Sequence, residues 1–367
     1  MPASPAMNIL HVISAPAAGG AEIYIKDLAK AQQAMGHKVF IGFCWHASDY
    51  GRSQEFERLF LQELDGAGVS YFFIGHKARR MPWLGIWKIW RFAKSRRIDI
   101  YHTHLIFGVV FGALLRIPRI FTQHSVKVHA NKLVFPVFDR ILDHYVGISR
   151  ICSDNLKNYT NKEITTIFNG VDLEKFRRQD KGLPRDVVQC ISVGRIDPAK
   201  NYLLLLKAIT LLEEDTRSRI LFRIAGEGYG THMDEVFNYA RDQNLEESVQ
   251  FLGNRGDIPK LLAESDLFIM SSAWEGLPIS LIEATASGLP CIVTDVGGCA
   301  ELIRLCQNGI VVESQDATAM AHAITRLVSN RGQLLGYSEN ALRNAHLFSI
   351  ENAAQAYLSL YHRAMAS

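Results

Sequence analysis

Two glycine-containing loops hold the residue types best suited to chemistry. The first reads Ser192-Val193-Gly194-Arg195-Ile196-Asp197-Pro198-Ala199-Lys200-Asn201. Arg195 and Lys200 stand five residues apart after an apolar run, where an arginine fork and a lysine point charge can converge on one diphosphate. The alternative is a pair of solvated loop cations. The second loop reads Ser272-Ala273-Trp274-Glu275-Gly276-Leu277-Pro278 and runs on to Glu283. Pro278 suits a first helical turn, and Gly276 and Leu277 would present backbone N–H groups beside Glu275. Glu283 falls among Ile279, Ile282 and Ala286, close to a buried face. A carboxylate there is costly unless hydrogen-bonded, which points to something bound. The bland reading is a helix-start glutamate and a surface one.

Further glycine turns follow apolar runs at Gly19-Gly20-Ala21-Glu22, Gly226-Glu227-Gly228-Tyr229-Gly230 and Asp295-Val296-Gly297-Gly298. Such turns let a backbone approach a ligand closely, and a helix starting there offers free N–H groups to an anion. Nine of the 13 histidines precede Asp172. His102, His104 and His124 follow predicted strands. His102-x-His104 could be a metal pair, but no carboxylate stands at ligand spacing, so no metal is expected. The stretch from His76 to Arg97 packs Trp83, Trp87 and Trp90 among basic residues. The three tryptophans share one helical face, with Lys88, Arg91 and Lys94 around it. An anionic membrane interface could take such a face. Nucleic acid is another taker, although no nucleic-acid motif accompanies it. A core-facing stripe is the third possibility.

These residues need a scaffold. Apolar runs predict strands at Ile9–Ile13, Val39–Phe43, Val69–Ile74, Ile98–His102, Arg119–Thr122, Tyr145–Ile148 and Ile164–Phe168, with helices between them at Ala21–Met35, Ser53–Gly66 and Leu84–Ser95. The rhythm restarts with strands at Gln189–Val193, Ile220–Ala225, Leu267–Met270, Cys291–Thr294 and Gly309–Val312. Helices are predicted there at Tyr202–Glu214, Thr231–Asn244, Pro278–Ala286 and Ala317–Ser329. Alternation of this kind implies parallel sheets covered on both faces. The polar stretch Asp172–Arg185, with Arg177, Arg178, Lys181, Gly182 and Pro184, reads as the passage between two doubly wound units. Ligands of such sheets bind beyond the carboxyl ends of the strands, which puts a site in the cleft between two facing units.

Composition agrees. The 367 residues are 48% hydrophobic and 21% charged, which excludes a disordered chain. Residues 1–172 carry a formal charge of +8 and the rest −5, so the first half is the one to meet an anionic partner. The apolar run Leu105–Leu115 is too short for a membrane span. The start, MPASPAMNILHVIS, has no basic residue ahead of its apolar stretch and does not read as a signal peptide. Six cysteines form no C-x-x-C pair, in keeping with a reducing compartment. There is no G-x-x-x-x-G-K-[ST] loop, no G-x-S-x-G elbow and no Asp-x-Asp. The last absence argues against a sugar-nucleotide transferase that holds its diphosphate through a metal.

Taken together, Gly19-Gly20-Ala21-Glu22, Val193-Gly194-Arg195 with Lys200, Gly226-Glu227-Gly228 and Glu275-x7-Glu283 resemble the retaining glycosyltransferases of family 4. Phe168-Asn169-Gly170-Val171-Asp172 is similar to that family's segment between domains. The resemblance spans nearly the whole chain. It implies the GT-B architecture: two Rossmann-like domains facing across a cleft, at 1–170 for the acceptor and 171–349 for the nucleotide-sugar donor, with helix 350–367 crossing back onto the first.

The resemblance also implies roles. Arg195 and Lys200 hold the donor diphosphate, and Glu275 with the N–H groups of Gly276 and Leu277 positions sugar hydroxyls. Glu283 accepts from the ribose, Gly226 and Arg255 border the nucleotide, and Gly20 lets the phosphates approach. His124 lies near the reacting sugar, and His104 and Glu22 belong to the acceptor side or to structure. The expected activity is retaining, metal-independent transfer of a hexose, most simply from a UDP-sugar, without a cofactor. The expected acceptor is a lipid-linked saccharide of surface polysaccharide or lipopolysaccharide assembly. It is met by a cytoplasmic protein peripherally bound to the inner face of the cytoplasmic membrane through Trp83, Trp87, Trp90, Lys88 and Arg91. A small soluble acceptor and a non-catalytic partner subunit are the alternatives. Nucleic acid is not expected as a partner, and oligomeric state is left open.

Overall fold

The computed structural model describes residues 5–51, 53–177, 187–228 and 230–366. The chain divides into two compact units. One holds the residues up to Gly170 together with the last helix from Ile350 onwards; the other runs from Val171 to Ser349.

The first unit is built on a seven-stranded sheet. Its strands are β1 (Asn8–Ile13), β2 (Lys38–Phe43), β3 (Ser70–Phe73), β4 (Ile100–Thr103), β5 (Arg119–Gln123), β6 (His144–Gly147) and β7 (Ile164–Thr166), in the order β3-β2-β1-β4-β5-β6-β7. All neighbours are parallel. The central strands β1, β4 and β5 are buried on both faces and mix apolar residues with His11, His102, Thr103 and Thr122. Helices α1 (Gly20–Ala34), α2 (Gln54–Gly66) and α3 (Pro82–Arg96) make the early crossovers. Along α1 the buried residues Tyr24, Ile25, Leu28, Ala29 and Gln32 recur at helical spacing and form one inward stripe. The predicted strand Ile98–His102 begins later than its apolar residues suggest. Arg97, at φ +51°, ends α3, and the Ile98 N–H turns back to the Ala93 carbonyl.

The second unit repeats the design with β8 (Val188–Val193), β9 (Ile220–Ala225), β10 (Val249–Gly253), β11 (Leu267–Met270), β12 (Cys291–Thr294) and β13 (Gly309–Val312). Their order is β10-β9-β8-β11-β12-β13, again all parallel. β10 is absent from the sequence reading. It is an edge strand whose burial is partial, so its apolar signal is weak. The predicted helix Tyr202–Glu214 stops at Thr210 and restarts at Glu214–Arg217, because the turn between them buries Leu212 and leaves Leu211 outside. Asp172 caps the short helix Leu173–Phe176 by accepting from the Glu174 and Lys175 N–H groups. Arg178, Lys181, Gly182, Pro184 and Tyr229 of the sequence reading lie outside the described residues. Val171 and Ser349 form an isolated parallel bridge where the chain enters and leaves this unit.

Candidate functional site

In both sheets the strand order reverses direction once, at β1/β4 and at β8/β11, and the loops beyond these strand ends diverge there. Lys200 and Glu275 stand at the second of these switch points, and His11, His102 and His104 at the first.

In the second unit the loop after β8 brings Lys200 to the loop after β11. Lys200 Nζ and Glu275 Oε1 lie 2.5 Å apart, and the two side chains are 19% and 13% exposed. Ser272 Oγ donates to the same oxygen at 2.8 Å. The loops are tied by backbone as well: the Ala273 N–H donates to the Ala199 carbonyl and Ser271 Oγ to that of Lys200. Arg195 does not share this partner. It is exposed, and its guanidinium is held by Asp197 at 3.0 Å. Lys200 thus has a carboxylate partner from a distant loop, while Arg195 is tethered within its own loop.

Gly226 follows β9 and is clamped against the β8 loop. A Cβ there would stand 1.9 Å from the Gly194 carbonyl oxygen, so only glycine fits. Gly297, at φ +55°, comes equally close to the Glu275 carbonyl, and the Gly298 N–H donates to the Gly276 carbonyl at 2.6 Å. Leu277 is buried, and Gly276 and Glu283 are half-buried; Glu283 lies within helix Ile279–Ala286. Arg255 is exposed beyond β10 and forms a two-pronged pair with Asp257 at 2.8 and 2.7 Å.

In the first unit the histidines meet in a way their spacing did not reveal. β1 and β4 pair with His11 opposite His102. His11 Nε2 bonds Gln32 Oε1 at 2.8 Å, His11 Nδ1 bonds His104 Nε2 at 3.0 Å, and His104 Nδ1 bonds His124 Nε2 at 2.9 Å. His102 lies beside this chain, bonded to Tyr361 at 2.6 Å and Thr122 at 2.7 Å. Tyr357 and Tyr361 come from the last helix, Ile350–Ala366, which thereby reaches into the centre of the unit. Burial lowers His11 and His124 to about 4 and holds His102 and His104 well below the usual histidine value, with neighbouring histidines adding to it. The ring nitrogens of His11, His102 and His104 converge within 4.8 Å, yet all six bond another side chain. As arranged, these groups hold one another.

His11, Gln32, Thr122, Tyr357 and Tyr361 were not singled out from sequence. The available signal was the concentration of histidines in the first half, with His11 and His102 in predicted strands. Gly20 opens α1 and is exposed. The Glu22 carboxylate folds back over Gly19 and accepts from Ser14 Oγ at 2.5 Å, so it secures the turn between β1 and α1.

Along α3 the buried side is Gly85, Ile89 and Ala93. Trp83, Trp87 and Trp90 are 59%, 51% and 41% exposed, so the stripe is not core. Arg91 lies over Trp87 and Lys94 over Trp90, each 5.4 Å from a ring centre. Lys88 departs from its expected place around this face: its Nζ turns inward to the Ile74 carbonyl at 2.5 Å, satisfying the chain end beyond β3. Among the described residues no helix is long and apolar enough to cross a membrane.

Comparison with known proteins bears on both units. The model of Glycosyltransferase Family 4 matches residues 18–175, and that of Glycosyl transferases group 1 matches residues 174–344. The chain is 30% identical over 272 residues to the UDP-Gal:alpha-D-GlcNAc-diphosphoundecaprenol alpha-1,3-galactosyltransferase of Escherichia coli, covering 66% of this chain and 70% of that one. It is 25% identical over 301 residues to the lipopolysaccharide core biosynthesis mannosyltransferase LpsB of Rhizobium meliloti, covering 76% and 83%. The fold is similar to that of Anabaena HepE, solved with UDP and glucose, at a TM-score of 0.81 and 18% identity over 97% of this chain and 99% of that one.

Proposed function

The chain belongs to the family 4 glycosyltransferases of GT-B fold, and from that premise we propose that it moves a hexose from a UDP-sugar to a hydroxyl of a lipid-linked saccharide, with retention and without a metal. The observation that carries the donor half of this reading is the Lys200–Glu275 pair at the β8/β11 switch point. A cation and a carboxylate held side by side suit a diphosphate and an adjoining sugar hydroxyl. Lys200 exchanges its carboxylate for the diphosphate, Arg195 swings from Asp197 to add its fork, and Glu275 accepts from the sugar. Glu283 takes the ribose hydroxyls, Gly226 and Arg255 flank the nucleotide, and Gly276 and Leu277 support Glu275. On the first unit His124 and Gly20 are further donor contacts, and His104 lies on the acceptor side.

Bond changes follow the front-face course. The acceptor oxygen attacks the anomeric carbon on the face the diphosphate leaves, its proton passes to a departing phosphate oxygen, and the two cations stabilise the charge that develops there. Two cations in place of an Asp-x-Asp support metal independence. The names of the E. coli and Rhizobium relatives support a lipid-linked acceptor in polysaccharide or lipopolysaccharide synthesis. The exposed Trp83, Trp87 and Trp90 with Arg91 support peripheral docking on the inner face of the cytoplasmic membrane.

The test is transfer from labelled UDP-hexoses to a polyprenyl-diphosphate saccharide in the presence of EDTA, with the new linkage read by NMR. A product of retained configuration formed in EDTA is expected. An inverted linkage, a strict metal requirement, or transfer confined to soluble acceptors would each overturn the corresponding part.

A further inference from the structure

The histidine chain of the first unit has a direction. The carbonyl oxygen of Gln32 can only accept, so the proton between it and His11 sits on His11 Nε2. A neutral imidazole has one N–H, which makes His11 Nδ1 an acceptor and His104 Nε2 the donor to it. The same step repeats: His104 Nδ1 accepts, and His124 Nε2 donates. The chain therefore ends on His124 Nδ1 with a lone pair. That atom is buried and is without a hydrogen-bond partner among the described residues. An acceptor shielded from water and left unfilled is suited to a donor that arrives with a ligand.

We propose that Gln32, His11 and His104 are positioning residues that set the tautomer of His124 and present its Nδ1 as a hydrogen-bond acceptor for a substrate hydroxyl. The surroundings support a rigid, neutral chain. Gln32 comes from the inward stripe of α1, and His11 and His104 from β1 and the end of β4. The ring of His102 lies 4.1 Å from that of His104 and 5.1 Å from that of His11, itself fixed by Thr122 and Tyr361. Tyr24 meets the His124 ring edge-on. Among the described residues no carboxylate is hydrogen-bonded to His11, His104 or His124, so nothing there draws a proton to make imidazolium. The ligand half of the inference rests on the proposed place of His124 beside the reacting sugar; the tautomer half does not.

Nitrogen-15 NMR of histidine-labelled full-length protein near pH 7.5, with His124 assigned by loss of its signals in His124→Gln, tests it directly. The expected result is a protonated Nε2 and an unprotonated Nδ1 on His124. The opposite tautomer would overturn the proposal without any variant being made. Gln32→Met removes the acceptor at the far end and should give His124 mixed tautomers. A Gln32→Met protein with unchanged His124 signals would equally sink the idea. In turnover, Gln32→Met should lower kcat about five- to tenfold, the scale of one hydrogen bond, with donor KM little changed. A shifted tautomer with unaltered kcat would uphold the directed chain and remove His124 from the reacting sugar.

Discussion

Lys200 and Glu275 are 75 residues apart in sequence and form an ion pair of 2.5 Å, one in the loop after β8 and the other in the loop after β11. These strands are neighbours only because the sheet order reverses between them. Removing Lys200 takes away a cation for the leaving diphosphate and strands a mostly buried carboxylate. Lys200→Ala should lower kcat/KM about 100- to 1,000-fold, as loss of one preorganised charge does. Initial rates over a range of donor concentrations check this; unchanged turnover would take Lys200 out of the site.

Gly226 is where the β8 and β9 loops touch. Gly226→Ala forces a Cβ into the Gly194 carbonyl, so the loops must part. A destabilisation of about 1–3 kcal/mol is expected, with weaker donor binding because the Arg195–Lys200 loop moves. Denaturant titration together with nucleotide titration would separate the two effects.

The buried histidines make the first unit acid-sensitive. His11 and His124 titrate near 6.5 when unfolded and near 4 when folded. Between these values the unfolded chain binds more protons, so their contribution is complete above about pH 6.5 and is lost as the pH falls through 4. Each unit of such a shift is worth about 1.4 kcal/mol. Urea midpoints followed by circular dichroism should fall steadily from pH 7 to pH 5, and a flat profile would contradict the buried, neutral chain.

The tryptophan face should be separable from folding. Replacing Trp83, Trp87 and Trp90 together by serine removes exposed side chains, so thermal stability should stay nearly constant. Binding to vesicles containing anionic lipid should fall by at least tenfold in a sedimentation assay. Equal binding by the variant would return these residues to the solvated surface.

Donor class can be read by thermal shift. One class among UDP-, GDP- and ADP-sugars should stabilise the protein saturably, UDP-sugars being expected, with or without EDTA. Stabilisation abolished by EDTA would reverse the metal-independent reading.

Much of this molecule is written locally. Strands such as Ile220–Ala225, Leu267–Met270 and Cys291–Thr294 fall where their apolar runs do, because a strand buried on both faces needs little besides apolar side chains. The glycine turns and the charged residues beyond these strands are legible for the same reason: a parallel sheet places its ligand-binding loops at one end. β10 escaped because an edge strand with one wet face has a faint pattern.

What sequence could not tell is which distant groups become partners. Nothing in the spacing of Lys200 and Glu275 says that they pair, or that Arg195 goes instead to Asp197. The helical period puts Trp83, Trp87 and Trp90 on one face of α3, but the period alone does not choose between solvent and core. That choice came from packing, which took Gly85, Ile89 and Ala93 inward and drew Lys88 after them. His11 and His102 look like isolated strand residues until parallel register sets them opposite each other and two tyrosines from the far end of the chain close the cluster. Local sequence determines which segments are strand, helix or turn, since propensity and hydrophobic period act over a few residues. Side-chain partnership depends on register and strand order, which exist only once the sheets have formed.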